Sequence, residues 1–165
     1  MTTKLALLDR DGTIIVDKIY LDDPGGIELA SGALEGLKLL RDAGFVLVLV
    51  TNQSGIGRGY LREATLALIH ARLAHILEAE GIDLAAIYFC PHGPNDGCDC
   101  RKPAPGMGRR AMADFGFGPD QTVVIGDSAA DMGLAAALGV RGVRVGASQV
   151  PDLLAAASAA VSFFI

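Results

Sequence analysis

Two aspartates, a threonine, a lysine and a further aspartate stand just beyond apolar runs, where parts of a chain far apart in sequence can meet around one phosphate ester. Asp9 and Asp11 follow the run 5–8, Thr51 and Asn52 follow 45–50, Arg101 and Lys102 lie beyond 87–89, and Asp127 follows 123–125. One carboxylate of the Asp9/Asp11 pair could attack phosphorus, splitting one hard hydrolysis into two easier steps. The other could protonate the departing alkoxide and then deprotonate water. Asp127 could share a magnesium ion with Asp9, since Mg²⁺ is commonly held by one or two carboxylates, waters and a phosphate oxygen. Lys102 and the Thr51 hydroxyl would hold the phosphoryl oxygens, leaving positioning and charge neutralisation to do most of the work. Each piece alone has a plainer reading: a D-x-D in a surface loop, a solvated Arg-Lys pair, a helix cap at Asp127. Their occurrence together, in order, points to phosphotransfer.

The elements that must position these groups alternate. Strands are predicted over 4–8, 45–50, 87–89, 122–125 and 142–145, and helices over 62–80, 106–114 and 129–138. A further helix is expected to start from Ser31 as N-cap and to stop at Gly44. Pro151 is expected to open an Ala-rich helix, and 161–165 to form a last edge strand. This alternation predicts an α/β fold with a mainly parallel sheet and right-handed crossovers. In such a sheet, ligands bind at the carboxyl ends of the strands.

Cys90, His92, Cys98 and Cys100 place three thiols and an imidazole within eleven residues. Soft sulfur with one histidine is a tetrahedral zinc set, and four protein ligands make a closed structural site. The intervening Gly93, Pro94, Asn95, Asp96 and Gly97 offer no hydrophobic means of fixing the loop. Zinc would stiffen the chain leading directly into Arg101 and Lys102.

Composition sets limits. The 165 residues fit one domain, 1–165, with 90–100 as its zinc loop; 51% are hydrophobic, enough for a sizeable core. A net charge of −5 argues against a broad nucleic-acid surface. No run approaches the roughly 18 apolar residues of a membrane span. A cytoplasmic monomer acting on a small phosphorylated molecule is expected. With no large insertion after Asp11 or after the third strand, the site should be open, rimmed by 16–26 and the zinc loop. Asn52, Ser54, Arg58 and Arg101 are candidates for substrate hydroxyls or a second phosphate, arginine being suited to bidentate phosphate contacts. His70 and His75, on the long helix without ligand companions, are expected to be surface or internally satisfied.

The ordered set DRDGT, TNQSGIGRG, RKPAPGM and GDSAADM resembles the haloacid dehalogenase (HAD) superfamily of phosphatases, over residues 4 to 145. The resemblance implies a HAD-like, Rossmann-like three-layer sandwich without a large cap domain. It implies Asp9 as nucleophile, Asp11 as general acid/base, and Thr51 and Lys102 on the phosphoryl group. It places Mg²⁺ on Asp9, Asp127 and the Asp11 carbonyl, with Asp131 supporting the metal shell or Lys102. The cysteine loop is similar to the zinc-containing branch that holds heptose-bisphosphate and histidinol-phosphate phosphatases. TNQSGIGRG, 16–20 and 101–107 are similar to the heptose enzymes. The five-residue gap between His92 and Cys98 is shorter than in many heptose enzymes and is similar to histidinol-phosphate phosphatases, the alternative reading, and Ser128 stands where the heptose enzymes often carry lysine. The heptose reading, with a sugar bisphosphate as substrate, is favoured. The TNQSGIGRG segment also resembles polynucleotide 3′-phosphatases, and a non-catalytic phosphosugar-binding module is the alternative outside enzymes.

Overall fold

The computed structural model describes residues 3–165. Its strands are β1 (Lys4–Leu8), β2 (Phe45–Asn52), β3 (Leu84–Cys90), β4 (Thr122–Gly126) and β5 (Arg141–Arg144); its helices are α1 (Ala33–Asp42), α2 (Glu63–Glu78), α3 (Gly106–Phe115), α4 (Ala129–Leu138) and α5 (Leu153–Ser162). All five strands pair in parallel in the order β3-β2-β1-β4-β5. The order reverses at β1, and the crevice between β1 and β4 is the switch point where such sheets bind ligands. Leu8 pairs with Leu49 on one side and Ile125 on the other. The residues after these positions therefore emerge at one edge, and the Asp9 amide still donates to the Ile125 carbonyl at 2.9 Å.

Because successive strand side chains alternate, the continuous apolar runs feed two cores. Ala6, Leu8, Leu49 and Ile125 pack with residues of α1, α2 and α5 on one face, while Leu5, Leu7, Val48 and Val124 pack with α3 and α4 on the other. Asp9 continues the parity of Leu5 and Leu7, so its carboxyl emerges on the α3–α4 side, where Lys102 and Asp131 stand.

Three expectations are corrected. Helix α1 is capped by Gly32, left-handed at φ 76°, not by Ser31, and there is no side-chain cap bond. A Cβ at Gly32 would lie 2.6 Å from an Asp152 carboxylate oxygen, so close approach to the start of α5 excludes a side chain there. Residues 161–165 form no strand: α5 runs on to Ser162, and Phe163 and Phe164 follow in a turn that packs on the core. Apolar residues there bury from a helix end as well as from a strand, which periodicity over five residues cannot separate. Strand β3 is longer than 87–89, because it pairs along β2 from Leu84 to Cys90. No helix among the described residues is long and apolar enough to cross a membrane.

Candidate active site

The chain leaves β1 through a tight turn in which the Arg10 carbonyl accepts from the amides of Thr13, Ile14 and Ile15. The turn needs Gly12 at φ 80°, and a Cβ there would lie 2.0 Å from Asp127 Oδ2. The turn thus brings Asp9 and Asp11 against the end of β4. A cavity of about 350 Å³ opens there, lined by both aspartates, Asn52, Ser54, Lys102 and Asp127 among others.

Lys102 is the electrostatic centre. Its Nζ donates to Asp9 Oδ1 at 2.8 Å, Asp131 Oδ1 at 2.7 Å and the Val50 carbonyl at 2.7 Å, using all three ammonium protons. Burial opposes its charge, but the carboxylates of Asp9 and Asp131 more than reverse that and raise its pKa. Burial lifts the Asp9 carboxyl to about 8 against the lowering pull of Lys102, and the neighbouring Asp131 and Asp127 add to the rise. A carboxyl raised by burial and by neighbouring carboxylates is a place where a further cation is favoured.

Asp9, Asp127 and Asp131 each offer an oxygen within 4.8 Å of the others. Asp131 is committed elsewhere: Oδ1 takes Lys102, and Oδ2 accepts from the Ser128 amide and hydroxyl at 3.1 and 2.8 Å. With Ser128 Oγ accepting from the Asp131 amide, this is a capping box that starts α4. Asp9 and Asp127 are left as the carboxylate pair suited to magnesium.

Other residues singled out in the sequence have definite places. Asn52 clamps the Lys102 backbone, its Nδ2 donating to the Lys102 carbonyl and its Oδ1 accepting the Lys102 amide, at 3.1 and 2.9 Å. Thr51 is fully buried, and its hydroxyl accepts from Gln53 Nε2 at 2.8 Å. Ser54 and Arg101 line the cavity. Arg58 does not; it is exposed, 3.4 Å from Ser54 Oγ and over the Tyr20 ring at 6.0 Å. His75 is exposed, whereas His70 is buried against Arg10. Burial and the Arg10 charge hold the His70 pKa down to about 3, so its ring is neutral.

Sequence reasoning assigned no role to Arg10, Gln53 or His70. Arg10 is 1% exposed and donates from Nε and Nη2 to the Asp11 carboxylate at 3.0–3.2 Å. Its position between two aspartates at a strand end was the available signal. For His70, separated from Arg10 by sixty residues, sequence offers none.

Cys90 Sγ, His92 Nδ1, Cys98 Sγ and Cys100 Sγ all lie within 4.8 Å of one another. Neighbouring ligand atoms are 2.9 to 3.6 Å apart. The edge of a zinc tetrahedron with 2.3 Å bonds to sulfur is about 3.7 Å. Burial pushes the Cys90 thiol up to about 12. At Cys98 the burial penalty is outweighed by the Arg101 and Cys100 amides, which bring that thiol down to about 6. The loop is tied to the site, since Arg101 Nη1 donates to the His92 carbonyl at 3.1 Å.

Residues 99–162, which carry Lys102, Asp127 and Asp131, match the HAD-hydrolase-like family model. The D-glycero-beta-D-manno-heptose-1,7-bisphosphate 7-phosphatase of Pseudomonas putida is 41% identical over 143 residues, covering 86% of this chain and 82% of that protein. The enzyme of the same name from Pseudomonas aeruginosa is 39% identical, covering 88% and 82%. A crystal structure of D,D-heptose 1,7-bisphosphate phosphatase from Bordetella bronchiseptica, complexed with magnesium and phosphate, superposes with a TM-score of 0.87 at 34% identity, covering 97% of this chain and 99% of that one. The chain belongs to the HAD-like phosphatases and, within them, to the family of the heptose-bisphosphate phosphatases.

Proposed function

We propose that this chain, as one catalytic domain, is a magnesium-dependent phosphatase that removes the 7-phosphate of D-glycero-D-manno-heptose 1,7-bisphosphate through an aspartyl-phosphate. The observation that carries the proposal is the strand-end cluster in which Lys102 Nζ bridges Asp9 and Asp131, beside Asp127. The names of the relatives support the substrate. Asp9 uses the oxygen not taken by Lys102 to attack phosphorus, forming the acyl-phosphate bond as the bond to the sugar oxygen breaks. Asp11 gives its proton to that leaving oxygen, then takes one from the water that attacks the aspartyl-phosphate and frees Asp9. Lys102 draws charge from a phosphoryl oxygen. Thr51 supports the site from beneath through Gln53, and Asn52 holds the Lys102 backbone. Asp9, Asp127 and the Asp11 carbonyl would hold magnesium, whose positive charge would offset the negative charge developing on the phosphoryl oxygens. Ser54 and Arg101, on the cavity wall, are positioned for the sugar and its second phosphate, with Arg58 at the outer rim. The reduced cysteine set suits a cytoplasmic setting, and the negative net charge suits a small-molecule substrate in preference to nucleic acid; we assign a monomer.

Phosphate release from heptose 1,7-bisphosphate and histidinol phosphate, side by side with Mg²⁺ and with Asp9→Asn as blank, tests this. Preference for the bisphosphate, absent in the blank, is expected. Preference for histidinol phosphate would show that the short cysteine loop was the better guide to substrate.

Zinc, held by Cys90, His92, Cys98 and Cys100, has a structural part. Its removal is expected to lower kcat by about 10- to 100-fold by loosening Arg101 and Lys102, with activity recovered on adding Zn²⁺. Metal analysis before each assay makes the check; full activity after verified depletion would refute it.

A further inference from the structure

A buried network behind the cavity converges on Asp11. The Arg10 guanidinium has almost no solvent to satisfy it, so each of its nitrogens needs a protein acceptor. Nη2 lies 3.0 Å from both Asp11 oxygens and 3.1 Å from Gln53 Oε1, while Gln53 Nε2 donates to Asp11 Oδ2 at 3.0 Å. At the far end, Nη1 meets His70 Nε2 at 3.1 Å. Guanidinium can only donate, so the neutral ring must present its lone pair at Nε2. His70 is 7% exposed, fixed in α2 with its ring tilted on Phe89 at 6.4 Å. The direction of the fork on Asp11 is therefore set from a helix that touches no reacting group.

We infer that His70 is a positioning residue for the acid/base step, aiming the Asp11 carboxyl at the leaving-group oxygen through Arg10. The inference rests on the acid/base role proposed for Asp11. Without the Nε2 acceptor, the buried Nη1 group has no hydrogen-bond partner, and the fork must rotate to recover one. A shift of about 1 Å in a reacting group can cost about a hundredfold in rate.

The test uses leaving groups. An alkoxide from a sugar phosphate needs the Asp11 proton to depart; p-nitrophenolate leaves without one. The ratio of kcat/KM for the two esters isolates the proton-dependent departure, which a general loss of packing would not alter selectively. His70→Asn, whose amide is too short to occupy the Nε2 position, is expected to lower kcat/KM for the sugar phosphate at least about tenfold and that for p-nitrophenyl phosphate less than about threefold. His70→Gln, whose amide oxygen reaches that position, is expected to restore the ratio. Arg10→Lys, which keeps the charge but loses the fork, should show the same selective loss and carries the test if His70→Asn does not fold. Equal losses on both esters, no loss, or no rescue by glutamine would overturn the inference. Asp11→Asn is the control. If it loses both esters alike, the Asp11 role itself falls; if it is selective while His70→Asn is not, only the role of His70 falls.

Discussion

Replacing Gly12 with alanine is expected to lower kcat/KM by about three orders of magnitude while leaving the protein folded. Two effects coincide at this residue. Its φ of 80° lies in the left-handed region, where a Cβ costs roughly 1–2 kcal/mol. The same Cβ would stand 2.0 Å from Asp127 Oδ2 and 2.6 Å from its Cγ. The backbone is held by the bond from the Gly12 amide to the Ile15 carbonyl at 2.8 Å, so it is the aspartate that must move. Displacing Asp127 removes one of the two carboxylates proposed to hold magnesium, and binding of the metal should weaken in parallel with turnover. Steady-state kinetics, Mg²⁺ titration calorimetry and a thermal melt check this together. Wild-type kcat/KM in the alanine variant would show that the turn has room the geometry denies.

Lys102→Met is expected to remove activity to a similar degree and to destabilise the fold more than the glycine variant, by about 3–5 kcal/mol, as when one partner of a buried ion pair is deleted. Lys102 is 4% exposed and Asp131 1% exposed, and the lysine supplies the positive charge that offsets buried Asp131 and half-buried Asp9. A second substitution separates the two consequences. Adding Asp131→Asn removes one stranded charge, so the double variant should recover part of the lost stability and none of the activity. Urea denaturation at neutral pH with phosphate-release kinetics on the single and double variants provides the measurement. A single variant as stable as wild type, or a double variant that regains turnover, would contradict this account of Lys102.

Sequence by itself determined the alternation of strands and helices, because aliphatic runs covered on both faces need no alternation to be recognised. It also determined the chemistry of the strand ends, since Asp9, Asp11, Lys102 and Asp127 carry rare combinations of residue types in a fixed order. The zinc set was legible for the same reason: soft ligands crowd into eleven residues of one loop. What sequence missed were contacts whose partners are distant along the chain. Ser31 looked like a cap, but the approach of Asp152 selects Gly32 for that place. Asn52 lines the cavity, and its amide also closes on the Lys102 backbone fifty residues away. His70 read as a surface or internally satisfied residue of the long helix, and only the packing of α2 against β3, with the ring on Phe89, turns its lone pair towards Arg10. Local pattern records which side chains can do chemistry. Which way they face is decided by the tertiary structure, because a buried donor or acceptor must take its partner from whatever element packing brings within 3 Å.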